Sequence, residues 1–344
     1  MLDVNLHVTL WPSLGHFFRF ANDPRIAGIR LNSAMISNPM LEKELELLRT
    51  NASTVPLYFD VKGRQLRVTE VLENPDCLDI RLNHPVSVKT PADVLFKAGA
   101  DYARLIQVYE NGHRLVFDSG PRFKVREGES LCIRDASLRA GGDQFTKVEF
   151  EKIEQVRKAG FKHYYLSYVN SQRDVDEFVD LVGRDAEIKL KIEDEAGLWY
   201  VANEFRKRPN LTLVAAQGDL YVELNRPHEI LNALRLIIAK DPNACVGSRI
   251  LLSVAEEPIL RAFYRIICER PEKIDYDELL KEVRVPGVPS CADWQELAWL
   301  YDIGYRSVLI CDEMCLHGSL LATTVNAFEC FQESYKPGSS PWMW

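Results

Sequence analysis

Eight short apolar runs spaced along the chain, at 5–10, 28–31, 55–60, 164–167, 187–192, 211–215, 244–247 and 307–311, constrain the fold most. Amphipathic helical patterns at 40–48, 174–182, 198–205, 227–238 and 294–301 alternate with them. Short strands alternating with helices predict an α/β protein, a (β/α)8 TIM barrel. Two stretches break the alternation. Residues 64–141 are strand-rich, with runs at 105–109, 114–117 and 130–133 and a turn at 110–112, and predict a small all-β domain inserted after strand 3. Residues 255–286 predict a helical insertion in the barrel, with helices at 259–268 and 276–282. The barrel is then 1–63 plus 142–335, and 336–344 is a loop-like tail whose two tryptophans can dock on a partner subunit. Thr146 and Glu149 have capping-box spacing and open a helix to Lys158, which Gly160 stops.

A net charge of −8 argues against nucleic acid and anionic membrane as partners. No apolar run approaches the roughly 20 residues of a membrane span. No basic-then-apolar leader pattern opens the sequence, so a cytoplasmic location is expected. The eight cysteines are expected as free thiols. Cys311, Cys315 and His317 are spaced as zinc ligands are, but a paired second cluster is missing.

The chemistry concentrates in two places. Lys191 and Glu193 are two apart in a predicted strand and so point the same way. Asp219 follows Gly218 at the end of the apolar run 211–216. One cation with two carboxylates at neighbouring strand ends suits a divalent metal and an oxyanion or phosphoryl group. It also suits a structural ion-pair network. Arg30, Asn32, Asp60, Lys62, Ser167 and Ser248 fall at other strand ends, where barrel active sites lie. Lys189 shares the face of Lys191 and either joins the site or, as expected, lines the layer below, paired in the neighbourhood of Glu187 or with a carboxylate. His7, on strand 1, is an acid–base candidate or a structural histidine.

These segments resemble the pyruvate kinases, in order and near-family spacing over roughly 5–330. Lys191-Ile-Glu-Asp194 is similar to their Lys-Ile-Glu-Asn strand end, and Ala216-Gln-Gly-Asp-Leu220 to their Ala-Arg-Gly-Asp-Leu turn. Ile29-Arg-Leu-Asn32, the hinge-like stretch 59–67, 246–252 and Cys311-Asp-Glu313 with Gly318 match further family segments. The resemblance implies that residues 64–141 are a lid, and it stops before the family's C-terminal effector domain. It implies magnesium (or manganese) on Glu193 and Asp219, and a phosphoryl group stabilised by Lys191 as a catalytic cation. It implies a substrate carboxylate on the N–H groups of Gly218 and Asp219 with Ser248, Ser167 nearby, and phosphates on Arg30 and Arg67. Asn32, Asp60, Lys62 and Arg67 would line the nucleotide or monovalent-cation side.

The departures fall on that side. Ala34, Met35, Val61, Gln65, Gln217 and Tyr221 replace the family's serine, histidine, threonine, glutamate, arginine and glycine. Potassium is therefore not expected to be required, with Arg64 or Arg67 supplying its charge. The leading expectation is a magnesium-dependent phosphotransferase acting on phosphoenolpyruvate and a nucleoside diphosphate (ADP/ATP), as in glycolysis. An enolate-forming pyruvate or keto-acid aldolase or lyase, and a non-catalytic member acting through partners, are the alternatives. A homo-oligomer is possible by family analogy.

Overall fold

The computed structural model describes residues 2–50, 53–74, 76–247, 249–268 and 275–338. In chain order the strands are β1 (Asn5–Thr9), β2 (Ile26–Asn32), β3 (Leu57–Val61), β4 (Val68–Leu72), β5 (Asp79–Leu82), β6 (Val86–Ser87), β7 (Ala92–Phe96), β8 (Asp101–Tyr109), β9 (Arg114–Phe117), β10 (Leu131–Arg134), β11 (Arg139–Ala140), β12 (His163–Leu166), β13 (Glu187–Ile192), β14 (Leu211–Ala216), β15 (Cys245–Gly247) and β16 (Ser307–Leu309). The helices are α1 (Phe17–Phe20), α2 (Asn38–Thr50), α3 (Lys147–Lys158), α4 (Gln172–Val182), α5 (Glu195–Asn203), α6 (Gln217–Glu223), α7 (Ile230–Lys240), α8 (Ser253–Cys268), α9 (Tyr276–Val283), α10 (Cys291–Asp302), α11 (Asp312–Cys315) and α12 (Gly318–Ser334). Eight strands close into a barrel in the order β1-β16-β15-β14-β13-β12-β3-β2. All the strand pairings described within it are parallel.

The chain divides into two compact units. One comprises Met1–Leu31, Glu46–Leu57 and Pro242–Trp344. In it β1 pairs with β2 and β16, and β16 with β15. Its helix α8 begins at Ser253, six residues before the expected start at 259, and runs through Pro258. A proline inside a helix strands the carbonyl four residues back. Here that carbonyl, Val254 O, accepts from Gly287 N–H at 2.8 Å, so the helix continues. All eight cysteines are free. Cys315 Sγ accepts from Thr9 N–H at 3.3 Å, and burial pushes the Cys311 thiol up to about 12.

The other unit comprises Asn32–Leu45 and Tyr58–Asp241. Its β12 pairs with β3 and β13, and β13 with β14. The strand β13 is buried along nearly its whole length, as parallel strands covered on both faces are. Between β3 and β12 lies an antiparallel six-stranded sheet, β10-β7-β8-β9-β5-β4, with a two-stranded β11-β6 ribbon. This sheet carries its own core of Val94, Leu105, Leu115 and Phe117, each fully buried. Burying such side chains stabilises by roughly 1.5–3 kcal/mol each. Among the described residues no helix is long and apolar enough to cross a membrane.

Candidate active site at the strand ends

The chain leaves β13 with Lys191 and Glu193 on one face. Both are almost fully buried. Lys191 Nζ lies 2.7 Å from Glu193 Oε1 and 3.8 Å from Asp60 Oδ2, and donates to Ser167 Oγ at 3.0 Å. Asp60 ends β3. It accepts from Lys62 Nζ at 2.8 Å and from Ser167 Oγ at 3.2 Å. Two ammonium groups and two carboxylates thus form a charge-balanced, buried network across the ends of β3, β12 and β13. Each charge is paired and hydrogen-bonded, which burial of ions requires.

Glu193 is the tuned member. Burial pushes its carboxyl up to about 7; Lys191 opposes the shift, and the negative charge of Asp219 adds to it. Asp219 lies in the first turn of α6, and among the described residues no hydrogen bond or ion pair holds its carboxylate. A buried carboxyl facing a second carboxylate gains from any cation placed between them. The N–H groups of Gly218 and Asp219 lie in that same first turn, where a helix offers donors without helical acceptors.

Glu193 Oε2 also accepts from Tyr168 N–H at 2.6 Å. Tyr168 has a φ of +53°, unusual for a side chain of its size. Its hydroxyl donates to Glu223 Oε1 at 3.1 Å, and Cys132 Sγ, on β10, donates to Glu223 Oε2 at 3.1 Å. Arg134 Nη2, from the same strand, donates to Val222 O at 2.6 Å. Burial pushes the Glu223 carboxyl up to about 7. The inserted sheet therefore rests on α6, four residues beyond Asp219.

No protein-family model matches the sequence, and a search of curated proteins finds no match. The structure is similar to the crystal structure of pyruvate kinase from Pyrobaculum aerophilum, with a TM-score of 0.67 and 14% sequence identity, over 98% of this chain and 74% of that one. The fold resembles pyruvate kinase.

The remaining candidates scatter more widely. Arg67 keeps its guanidinium on Gly128 O at 2.6 Å and on Gln65 Oε1, and burial lowers its pKa while Glu149, Tyr168, Asp60 and Asp219 raise it. Arg64 pairs instead with Asp174 in the first turn of α4 at 2.5 Å, so of the two hinge arginines it is Arg67 that senses the site carboxylates. Asn32 caps the short turn Ser33–Met35 by accepting from Ala34 N–H at 3.2 Å. In the other unit, Arg30 donates to Thr9 Oγ1 at 2.9 Å and to Asp312 Oδ2 at 2.7 Å. Ser248 lies outside the described residues.

Lys189 is buried on the face of Lys191, in the neighbourhood of Glu187, and among the described residues no carboxylate pairs with it directly. Its ammonium lies 5.1 Å from the Tyr58 ring centre and 6.0 Å from that of Tyr165. Tyr58 takes Glu187 for its own hydroxyl, at 2.9 Å. Tyr221 projects to solvent at 55% exposure, so the family's glycine is replaced without crowding.

Three site residues escaped the sequence reading. Glu149 was legible only as a cap. Thr146 Oγ1 does accept from Glu149 N–H at 3.2 Å, but the Glu149 carboxylate turns to Ser33 Oγ at 3.2 Å, Lys62 N–H at 3.4 Å and Lys152 Nζ at 3.3 Å. Tyr168 and Glu223 are the others. Their signal was position: one directly follows Ser167, and the other lies one helical turn past Asp219.

Proposed function

We propose that this chain is a pyruvate kinase-like phosphotransferase. It would bind phosphoenolpyruvate or pyruvate with magnesium at the ends of β13 and β14. One observation carries the reading: a buried lysine–glutamate pair beside an uncommitted aspartate, on a barrel whose fold resembles pyruvate kinase.

Glu193 and Asp219 supply hard oxygen donors, which fit magnesium or manganese. Among the described residues no group of three His, Cys, Asp or Glu side chains converges in ligand geometry. Two protein carboxylates, with water and substrate oxygens completing the shell, are how magnesium is commonly held. Bound there, the ion would supply positive charge against the substrate's carboxylate and phosphoryl oxygens. Lys191 adds a fixed ammonium aimed at the same space, with Ser167 and Asp60 holding its orientation. Asn32, Lys62 and Arg67 line the nucleotide side in this reading.

Separate calorimetric titrations of magnesium with phosphoenolpyruvate, with pyruvate and with ADP test the proposal. Binding of phosphoenolpyruvate and ADP, both magnesium-dependent, is expected. Pyruvate binding without nucleotide binding would instead favour enolate chemistry. Loss of all three would favour a non-catalytic role.

A further inference from the structure

Helix α8 presents an apolar stripe to solvent. Ile259, Leu260, Phe263, Tyr264, Ile266 and Ile267 are each between 42% and 66% exposed. Most recur at spacings of three and four, which puts them on one helix face. The opposite face is already used: Val254, Pro258 and Ala262 are buried, and Ala262 packs on Leu279 and Val283 of α9. The stripe is therefore a second apolar face on a helix that already has its core contact.

Its size decides what it is for. At roughly 200 Å² for an aromatic side chain and less for an aliphatic one, the uncovered fractions amount to at most about 700 Å². The largest apolar patch on a typical monomer is roughly 300–600 Å². A stable pairwise interface takes roughly 800 Å² from each partner, counting its polar rim.

Its order decides what fits. Along α8 the stripe reads aliphatic pair, aromatic pair, aliphatic pair: Ile259 and Leu260, Phe263 and Tyr264, Ile266 and Ile267. That sequence is nearly the same read backwards. An antiparallel copy of α8, related by a two-fold axis near Phe263, would put aromatic on aromatic and aliphatic on aliphatic. Two-fold interfaces require this self-complementarity.

Two copies each carry a net charge of −8, but the cations beside the stripe add no repulsion of their own. Two of the charged residues bordering the stripe, Arg261 and Arg265, are neutralised within one protomer, while Glu256 stands exposed at its N-terminal end. Arg261 pairs with Glu257 at 2.6 Å, and Arg265 with Glu282 at 2.5 Å. We propose that α8 is the interface of a homodimer, each copy covering the other's apolar stripe.

Sedimentation of the full chain tests this directly. The expected result is twice the monomer mass, with Phe263→Asp and, separately, Ile267→Asp each returning the monomer. Both side chains are exposed, so the variants should keep the wild-type circular dichroism spectrum. A wild-type chain that sediments as a monomer up to its solubility limit overturns the proposal, whatever other protein it binds. A dimer that survives both substitutions in folded protein overturns it equally, by placing the contact elsewhere.

Discussion

The backbone N–H of Tyr168 donates to Glu193 Oε2 at 2.6 Å from a residue held at φ +53°. A left-handed backbone costs roughly 1–2 kcal/mol for a residue with a Cβ. The position of the glutamate oxygen is thus set by a main-chain donor, with the tyrosine ring held separately through Glu223.

Glu193→Gln should therefore abolish magnesium-dependent thermal stabilisation, while Tyr168→Phe, which keeps the N–H, should retain it. Melting curves with and without magnesium check both. An unchanged magnesium shift in Glu193→Gln would remove this residue from the proposed metal site.

Glu223 gives a pH dependence of definite sign. Its folded-state pKa is raised, from 4.5 to about 7, chiefly by burial. The folded state therefore holds its proton more tightly than the unfolded state. The stabilisation is complete below about 4.5 and is lost as pH rises through about 7. Glu223→Gln stays neutral throughout, so its melting temperature should fall by several degrees less over that window. Parallel slopes for the two proteins would refute the assignment.

Any kinase activity should be independent of potassium. Val61 brings no hydroxyl, Ala34 no oxygen, and Gln65 no carboxylate; its amide oxygen accepts from Arg67. Monovalent cations need several oxygens, and Arg67 already brings positive charge to the site carboxylates. Nucleotide phosphorylation assayed with magnesium, with and without potassium, should differ less than twofold. Strong activation by potassium would show that the hinge has been misread.

Residues 64–141 should move as a lid, hinged at 60–63 and 141–142. The contacts that seat this sheet on α6 include Cys132 to Glu223 and Arg134 to Val222. Hydrogen exchange in β7, β8 and β10 should slow when magnesium and phosphoenolpyruvate are added, and Arg134→Ala should speed it without ligand. Equal exchange under all three conditions would mean a rigidly seated domain.

The barrel was legible because a buried parallel strand leaves a run with few alternatives, as at 187–192 and 211–216. Lys191 and Glu193 were legible because a period of two is fixed by strand geometry. What stayed hidden depends on contacts far apart in sequence. Nothing local marks Arg64 for Asp174, 110 residues away, or Cys132 for Glu223, 91 away. Glu149 was masked by its own spacing from Thr146, which fits a cap whether or not the carboxylate points elsewhere. The left-handed backbone of Tyr168 has no signature in its residue type. The start of α8 was misplaced because Pro258 reads as a helix boundary until Gly287 is known to serve the orphaned carbonyl.

That last contact reaches beyond the helix it repairs. Gly287 N–H meets Val254 O at 2.8 Å, and Ser290 N–H meets Ser253 Oγ at 2.9 Å. The excursion through α8 and α9 thus leaves the body of the chain and returns to it at nearly the same point. Joining ends that already touch costs little chain entropy. The segment is a detour: a bridge of only a few residues would span the gap between its two ends.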